Sequence, residues 1–140
     1  MDGCIFCKII NGEIPSTKLY EDEKVLAFLD IHPIKPGHTL IIPKKHFENF
    51  VSTDEEYLLP MIQAAKKIAP AIIKSVGASA FNFTTANGAE AGQSVFHLHF
   101  HIIPRFSKSE LKDWPEMEGE QPTRIQIADA ISKIYRESLI

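Results

Sequence analysis

Few of the features that mark secreted, membrane-spanning or nucleic-acid-binding proteins occur in this sequence. Only two of the 140 residues are cysteines, which excludes a disulfide-stapled scaffold. No apolar run approaches the roughly 20 residues that cross a bilayer, and we expect no membrane partner. Runs of lysine and arginine never exceed two residues and the formal net charge is −3, which argues against binding of DNA or RNA. Because the first residues lack the basic start and apolar stretch of a secretory signal, we expect a cytoplasmic protein.

The rest of the composition is typical of one globular domain. Hydrophobic residues make up 44% of the sequence and charged residues 24%, close to the average for such proteins. No repeat, low-complexity segment or linker divides the chain, so we predict a single domain over residues 1–140. Apolar runs bounded by turn signals predict five strands. The predicted strands are residues 18–20, 25–29, 39–42, 80–85 and 94–103.

Two further segments have apolar residues at helical spacing. The first follows a capping box formed by Thr53 and Glu56 and ends at Gly77, a residue type that accepts the left-handed conformation after a helix. Two prolines, Pro60 and Pro70, lie inside this segment, and we expect a kink or a later start of the helix. The second segment covers residues 125–139. Strands in hairpin order with two helices predict an α+β fold with an antiparallel meander sheet of about five strands.

Three histidines, His97, His99 and His101, alternate with apolar residues in the last predicted strand. Alternate side chains of a strand point to the same side and are separated by about twice the ~3.3 Å rise per residue. The three imidazoles are therefore expected on one face, with the intervening apolar residues on the other. A lone histidine in a strand is usually structural, whereas three in alternation indicate a chemically active face.

Two kinds of chemistry fit such a face. In the first, two of the histidines bind a catalytic zinc ion together with a third ligand from elsewhere and leave a position for water. In the second, a neutral imidazole attacks phosphorus or an acyl carbon while its other nitrogen donates to an orienting acceptor. The loop at residues 88–93 favours the second reading, because its small residues let backbone amides approach an anion. Gln93 and Ser94 add side-chain donors beside this loop, and His99 is the candidate nucleophile.

The two cysteines, Cys4 and Cys7, have the spacing of half a tetrahedral zinc site. His46 and His97 are the preferred partners, because they would complete a Cys₂His₂ set and leave His99 free for chemistry. Two alternatives stay open: a thiol pair, and a buried N-terminal turn that binds no metal.

The histidine strand also carries a family resemblance. Residues 88–105 contain the pattern His-apolar-His-apolar-His-apolar-apolar, which resembles the signature of the histidine-triad (HIT) nucleotide-binding family. The likeness extends to residues 4–10, 27–30 and 37–46, and so covers most of a core at residues 4–105. It is weak over the C-terminal extension at residues 106–140.

The resemblance implies a HIT-like fold and cleavage at the α-phosphorus of a purine nucleotide through a covalent nucleotidyl-histidine intermediate. The implied substrates are adenosine phosphoramidates or dinucleoside polyphosphates. His99 would be the nucleophile, His38 would support its orientation, and His101 would contact phosphate. Gln93 and Ser94 would hold the phosphate and the leaving group. The family also implies a homodimer in which the sheets of two subunits join.

Further roles follow from the same resemblance. Asp30, which on its own suits either a turn or the ribose hydroxyls, would bind the ribose. Apolar side chains would wall the base, namely those of Phe6, Ile9, Phe28 and Ile31. A structural zinc ion would be bound by Cys4, Cys7, His46 and His97.

One position departs from the family pattern. Many members have asparagine two residues before the glycine that matches Gly88, where this sequence has Ala86 and places Asn87 one residue later. A hydrogen bond near the phosphate is therefore lost, moved or unnecessary. An alternative function from another class is a nucleotide-binding regulatory or interaction module with little turnover, because binding residues and catalytic residues overlap.

Overall fold

The computed structural model describes residues 3–120 and 122–138. The chain divides after Glu110 into two compact units. The first unit contains helices α1 (Ile5–Ile10) and α2 (Glu55–Val76) and a five-stranded antiparallel sheet, which confirms the predicted α+β fold. The second contains helix α3 (Arg124–Ser138). The strands are β1 (Lys18–Glu21), β2 (Val25–Leu29), β3 (Thr39–Pro43), β4 (Ala80–Thr84) and β5 (Phe100–Arg105).

The order of strands across the sheet is β1-β2-β3-β5-β4. The first three strands form the predicted meander, and β5 lies between β3 and β4. A single aspartate closes the first hairpin: Asp22 Oδ1 accepts hydrogen bonds from the backbone amides of Lys24 and Val25, both at 2.8 Å. Such side-chain-to-backbone bonds are the reason that aspartate favours turns.

Strand β5 is shorter at its start and longer at its end than the sequence predicts. It begins at Phe100 instead of residue 94, because the preceding segment bonds to a loop instead of a strand: the amide of Leu98 donates to the carbonyl of Phe47 at 2.7 Å. Pro104 does not close the strand. The carbonyl of Arg105 accepts a hydrogen bond from Ser79 N, so the backbone polar groups of Arg105 face β4. Those of its neighbour Pro104 therefore face the other side, beyond the last residue pair of β3 and β5, where the missing N–H of proline costs no hydrogen bond between strands.

Helix α2 also differs from expectation at its start. The predicted capping box is wrong, because Thr53 Oγ1 donates to Asn49 O at 2.7 Å and the N-cap is Asp54. Of the kink and the later start expected at Pro60, the later start is wrong, since the helix begins at Glu55 and is continuous through both prolines. The carbonyl that would normally accept from residue 60 is that of Glu56, and Lys24 Nζ donates to it at 3.4 Å, which compensates for the proline. Gly77 ends the helix in the left-handed conformation, as predicted.

The sheet buries apolar side chains on both faces. One face packs on α2 and contributes Val25, Ala27, Ile41, Phe100 and Ile102, and Leu98 from the segment before β5 joins the same cluster. The other face packs on α1 and contributes Leu26, Phe28, Leu40 and Ile42, which contact Phe6 and Ile9 of that helix. The short N-terminal helix therefore covers the face on which His101 lies, since His101 pairs with Leu40 across β3 and β5.

Among its described residues, the second unit contains one α-helix. Its helix α3 corresponds to the predicted segment 125–139, of which residue 139 lies outside the described residues. Apolar side chains on α3 are largely exposed, including Ile131 and Ile134. Among the described residues, no helix is both long and apolar enough to cross a membrane.

Gly37 is the glycine with the least space around it. Its φ is +85°, and an added Cβ would lie 3.0 Å from Val76 Cγ1 and 3.2 Å from Pro104 Cγ. We predict that Gly37→Ala lowers the free energy of unfolding by about 2–4 kcal/mol, because strain at positive φ and steric overlap add. Urea denaturation measures the change.

Gly77 provides the matched control for this substitution. Its φ is +74° but an added Cβ would meet nothing within 4 Å. Gly77→Ala should therefore lower the free energy of unfolding by about 1 kcal/mol, because only the strain at positive φ applies there. Equal losses for the two variants would contradict the close packing around Gly37.

Candidate active site and metal cluster

The histidine segment, residues 94–103, places its side chains on two sides of the sheet, although only part of the segment is a strand. Leu98 and Phe100 belong to the apolar cluster under α2. Phe6 on the opposite face contacts His97 and His99, with ring centroids 5.8 and 5.0 Å apart. The predicted alternation of sides is therefore present, but the prediction that all three histidines lie in one regular strand is wrong, because β5 begins only at Phe100.

His99 is held by its own backbone neighbour. Its Nδ1 lies 2.8 Å from the carbonyl oxygen of His97, and since a carbonyl only accepts, Nδ1 carries the hydrogen and Nε2 keeps a free lone pair. Burial lowers the pKa of His99, which favours the neutral ring. Thr85 Oγ1 donates to the carbonyl of His99 at 3.0 Å. These contacts leave His99 as a buried, oriented and neutral imidazole, the form that acts as a nucleophile.

His101 and His38 form a second pair. The amide of Ile34 donates to His38 Nδ1 at 3.0 Å, so the hydrogen of the neutral His38 ring is on Nε2. That nitrogen lies 2.8 Å from His101 Nδ1 and donates to it, which leaves the hydrogen of His101 on Nε2. Burial and the neighbouring histidines His99 and His38 lower the pKa of His101 to about 4. The chain of bonds thus leaves a neutral His101 with an N–H group to offer to a ligand.

His38 forms a hydrogen bond with His101, whereas His99 forms one with the carbonyl of His97. The implied support of the nucleophile by His38 would therefore act through His101, whose ring centroid lies 4.9 Å from that of His99. Asp30 is also close to His38, since its Oδ2 lies 3.6 Å from His38 Nε2. Its Oδ1 accepts from the amide of His32 at 2.9 Å, the turn-forming contact that the sequence also suggested.

Gln93 is buried and its amide is engaged by the backbone. Oε1 accepts from Gly88 N at 2.9 Å, and Nε2 donates to Glu48 O at 2.7 Å and Val95 O at 3.1 Å. A phosphate contact, as the resemblance implies, would have to replace one of these bonds. Asn87, the displaced asparagine, accepts from Phe50 N at 2.8 Å through its side chain, so it joins the same loop to residue 50.

The side chains expected to wall a base are divided. Phe6, Ile9 and Phe28 are buried and pack together, whereas Ile31 is 78% exposed. Sequence reasoning missed the helix that carries Phe6. A signal was present, because Cys4 caps this helix by accepting a hydrogen bond from Cys7 N at 3.4 Å, so the Cys-x-x-Cys spacing also marks a helix start.

Four potential metal ligands meet at the end of β3. The ligand atoms of Cys4, Cys7, His46 and His97 all lie within 4.8 Å of one another. His97 Nδ1 is 3.3 Å from Cys4 Sγ and 3.2 Å from His46 Nδ1, and Cys7 Sγ is 3.4 Å from His46 Nδ1. In a tetrahedral zinc site, bond lengths of ~2.3 Å to sulfur and ~2.05 Å to nitrogen place two nitrogen ligands about 3.3 Å apart and a nitrogen and a sulfur ligand about 3.6 Å apart.

The donor set fits zinc in chemistry as well as in spacing. His97 Nε2 lies 3.0 Å from the carbonyl of Pro43 and must donate to it, so Nδ1 is left unprotonated and faces the cysteines. A ligating histidine commonly has its other nitrogen fixed in this way. Burial lowers the pKa of His97 to about 4, which keeps the ring neutral and able to ligate.

A second group of metal-ligand types, formed by Asp30, His38 and His101, has a different geometry. Its two histidine nitrogens are only 2.8 Å apart, closer than the about 3.3 Å of two nitrogen ligands on tetrahedral zinc. This contact is a hydrogen bond between rings. The four potential metal ligands and the pair of His38 and His101 are therefore distinct groups.

Comparison with known proteins gives consistent matches. The family model for the HIT domain matches residues 11–108. The adenosine 5'-monophosphoramidase HNT1 of Saccharomyces cerevisiae is 41% identical over 139 residues, which cover 98% of this chain and 81% of that protein. The crystal structure of a HIT family member from Bacillus subtilis has a TM-score of 0.83 at 44% identity and covers 96% of each chain. The crystal structure of a zinc-bound histidine triad family protein from Mycobacterium smegmatis has a TM-score of 0.74 at 36% identity and covers 84% of this chain and 85% of that chain.

The hydrogen bonds of the histidines predict their tautomers. We expect His99 as the Nδ1–H form, because its Nδ1 faces a carbonyl oxygen that can only accept. We expect His38 and His101 as Nε2–H forms, because Nδ1 of each accepts a hydrogen bond. Long-range ¹H–¹⁵N correlation spectra near neutral pH distinguish the two forms. Exposed His32 is the control and should show the mixture of an unconstrained imidazole. An Nε2–H form of His99 would contradict the geometry, because its lone pair would then face the His97 carbonyl.

Proposed function

This chain belongs to the HIT domain family, and on that premise we propose that it hydrolyses or transfers nucleotides at the α-phosphorus with His99 as the nucleophile. The observation that carries the proposal is the bond from His99 Nδ1 to the His97 carbonyl, which leaves the Nε2 lone pair free. The name of the yeast relative, a monophosphoramidase, supports an adenosine phosphoramidate as substrate. A dinucleoside polyphosphate is the other candidate.

The proposed reaction has two displacements. In the first, the Nε2 lone pair attacks the α-phosphorus and the bond to the leaving atom breaks. The leaving atom keeps that electron pair and takes a proton from water, so the nucleotidyl group remains on Nε2. In the second, another water attacks phosphorus, the P–Nε2 electrons return to the ring, and the nucleoside monophosphate departs. The proton released in the second displacement neutralises the hydroxide from the first, so one water is consumed overall.

The other residues of the site have proposed roles that follow from their positions. His101 offers its Nε2–H to a phosphate oxygen, since His38 donates to its Nδ1. Ser94, which is exposed at the start of the histidine segment, contacts the leaving group. Asp30 accepts the ribose hydroxyls through the carboxylate oxygen that its turn does not use. The purine base contacts the apolar wall formed by Phe6, Ile9, Phe28 and Ile31.

Gln93 also belongs to the proposed phosphate and leaving-group side of the site. Its three backbone partners support an indirect contribution, in which it shapes the loop that meets the phosphate.

A comparison of two histidine substitutions tests the nucleophile. We predict that His99→Ala lowers kcat for an adenosine phosphoramidate at least about 10³-fold, because no other group can form the covalent intermediate. His32→Ala, a change at an exposed loop position, should leave kcat within about twofold of the wild type. Product formation is followed by chromatography, with a diadenosine polyphosphate assayed in parallel.

Two results would contradict this proposal. If the wild type and His99→Ala bind the nucleotide equally and neither turns it over, the chain is a nucleotide-binding module without activity. If both turn it over at similar rates, another group is the nucleophile.

We also propose that Cys4, Cys7, His46 and His97 bind a structural zinc ion. The spacing of their ligand atoms supports this, and both cysteines are free of disulfides and therefore available as ligands. Zinc there would tie the N-terminus to the loop after β3 and to the segment before β5. No step of the proposed reaction involves it.

Metal analysis tests this assignment. The purified protein should contain one zinc ion per chain, and Cys7→Ser should lose it and lower Tm by several degrees, because metal binding contributes folding free energy. A catalytic zinc predicts something different: a chelator would abolish activity while Tm stayed unchanged. Purified wild type without zinc, and with the same Tm as Cys7→Ser, would overturn the structural role.

We propose a homodimer formed through the edge of the sheet at β4. This strand is at one end of the sheet, and its Phe81 and Phe83 are each 44% exposed. A groove of about 960 Å³ between α2 and β4 continues this apolar surface and includes Ile62, Ala69 and Ile73. An exposed edge strand pairs readily with its own copy in a two-fold arrangement, which supports a second copy of this chain as the occupant.

A further inference from the structure

A second groove lies beside the potential metal ligands Cys4 and His46, and Ser94 is also part of its wall. Its volume is about 710 Å³, and its walls include Cys4, Ile5, His46, Glu48, Ser94 and Phe96. The proposed reaction uses Ser94 at the leaving group, but it gives no role to Ile5, Glu48 or Phe96. The groove therefore extends from the proposed leaving-group position to side chains that have no assigned partner.

The lining of this groove, over the residues that the structure describes, contains one side chain of the Asp, Glu, Lys and Arg types, that of Glu48. Among the residues that line it within the described part of the chain, none is lysine or arginine, and Glu48 is the one carboxylate. The neighbouring lysines point their charges elsewhere: Lys44 Nζ lies 2.9 Å from Glu21 Oε1, and Lys45 Nζ lies 3.7 Å from Asp54 Oδ2. A polyphosphate leaving group would meet the carboxylate of Glu48 here.

The walls are apolar on either side of that carboxylate. Ile5 is 41% exposed and Phe96 is 45% exposed, so both present apolar surface to a ligand. Such surfaces suit an alkyl chain, and the carboxylate of Glu48 suits a positive charge at the end of that chain.

Buried Gln93 fixes the backbone of Glu48 relative to the backbone of the histidine segment. It is 4% exposed, and its Nε2 donates to both Glu48 O and Val95 O. The amide of Leu98 donates to Phe47 O, so the two segments are joined at two points. The groove is thus built from two chain segments that hydrogen bonds hold side by side.

We infer that this groove receives the leaving group of the proposed reaction and selects an alkylamine that carries a second positive charge. The inference rests on the proposed function. In the step concerned, the bond between phosphorus and the amine nitrogen breaks, the nitrogen keeps the electron pair and takes a proton from water, and the diamine departs along the groove past Glu48.

Three phosphoramidates of AMP with leaving amines of similar length test the inference. The amine nitrogen carries an aminobutyl chain, which is cationic at its far end, a butyl chain, which is neutral, or a carboxypropyl chain, which is anionic. We expect kcat/KM to fall in that order, with the cationic substrate about 10-fold above the anionic one, in line with single charge contacts near a protein surface. Unsubstituted adenosine phosphoramidate reports the basal activity.

Substitutions at Glu48 identify the source of the preference. Glu48→Gln should abolish the order while the unsubstituted phosphoramidate is still cleaved, and Glu48→Lys should reverse it. Glu13→Gln, the same chemical change at an exposed carboxylate outside the groove, should leave the order intact.

The two ways to fail are distinguishable. Cleavage of the unsubstituted compound without an order among the three amines, or an order that survives Glu48→Gln, would overturn the leaving-group site and leave the proposed function standing. No cleavage of the unsubstituted compound would overturn the proposed function, and with it this inference.

Discussion

The hydrogen bond from His99 Nδ1 to the carbonyl oxygen of His97 is the contact on which the rest of the site depends. It fixes which nitrogen of His99 carries the hydrogen, and therefore which one has a lone pair for a substrate. The position of that carbonyl depends in turn on the His97 ring, which is fully buried and bonded to Pro43 O. His97 thus belongs to the group of potential metal ligands through its side chain and contacts the candidate nucleophile through its backbone.

This arrangement gives similar side chains different surroundings. The His97 ring faces two cysteines, whereas His101 faces His38, and His99 lies between them. Hydrogen bonds to neighbours fix His99 as the Nδ1–H tautomer and both His38 and His101 as Nε2–H tautomers, so His99 differs from the other two. Helix α1 covers the shared face with Phe6, so the site is apolar on the side where a base is proposed to bind.

Much of the fold was predictable because its signals are local. The hairpin of β1 and β2, strand β3 and the end of α2 at Gly77 follow from apolar patterns and turn residues. The features that sequence reasoning missed depend on tertiary contacts. Residues 94–99 alternate like a strand, but Leu98 bonds to the loop at Phe47. Helix α1 is only six residues long, too short for its apolar pattern to be recognised.

The candidate site divides in the same way. Residue types and spacing predicted a meeting of Cys4, Cys7, His46 and His97, which the fold brings within ligand distance. They did not predict that His38 would contact His101, because that contact requires β3 to lie beside β5. Nor did they predict how the amide of Gln93 is used, since its partners come from three separate backbone positions.

The most direct test of the central claim is to locate the covalent intermediate. The wild type would be mixed with an adenosine phosphoramidate, quenched within one turnover at alkaline pH, where a phosphoramidate bond to histidine survives, and mapped by peptide mass spectrometry. The account predicts an adenylyl group on His99 that forms and decays at rates consistent with kcat. Turnover with the group on another residue, or with no adduct while rapid-quench kinetics show a single displacement, would contradict it.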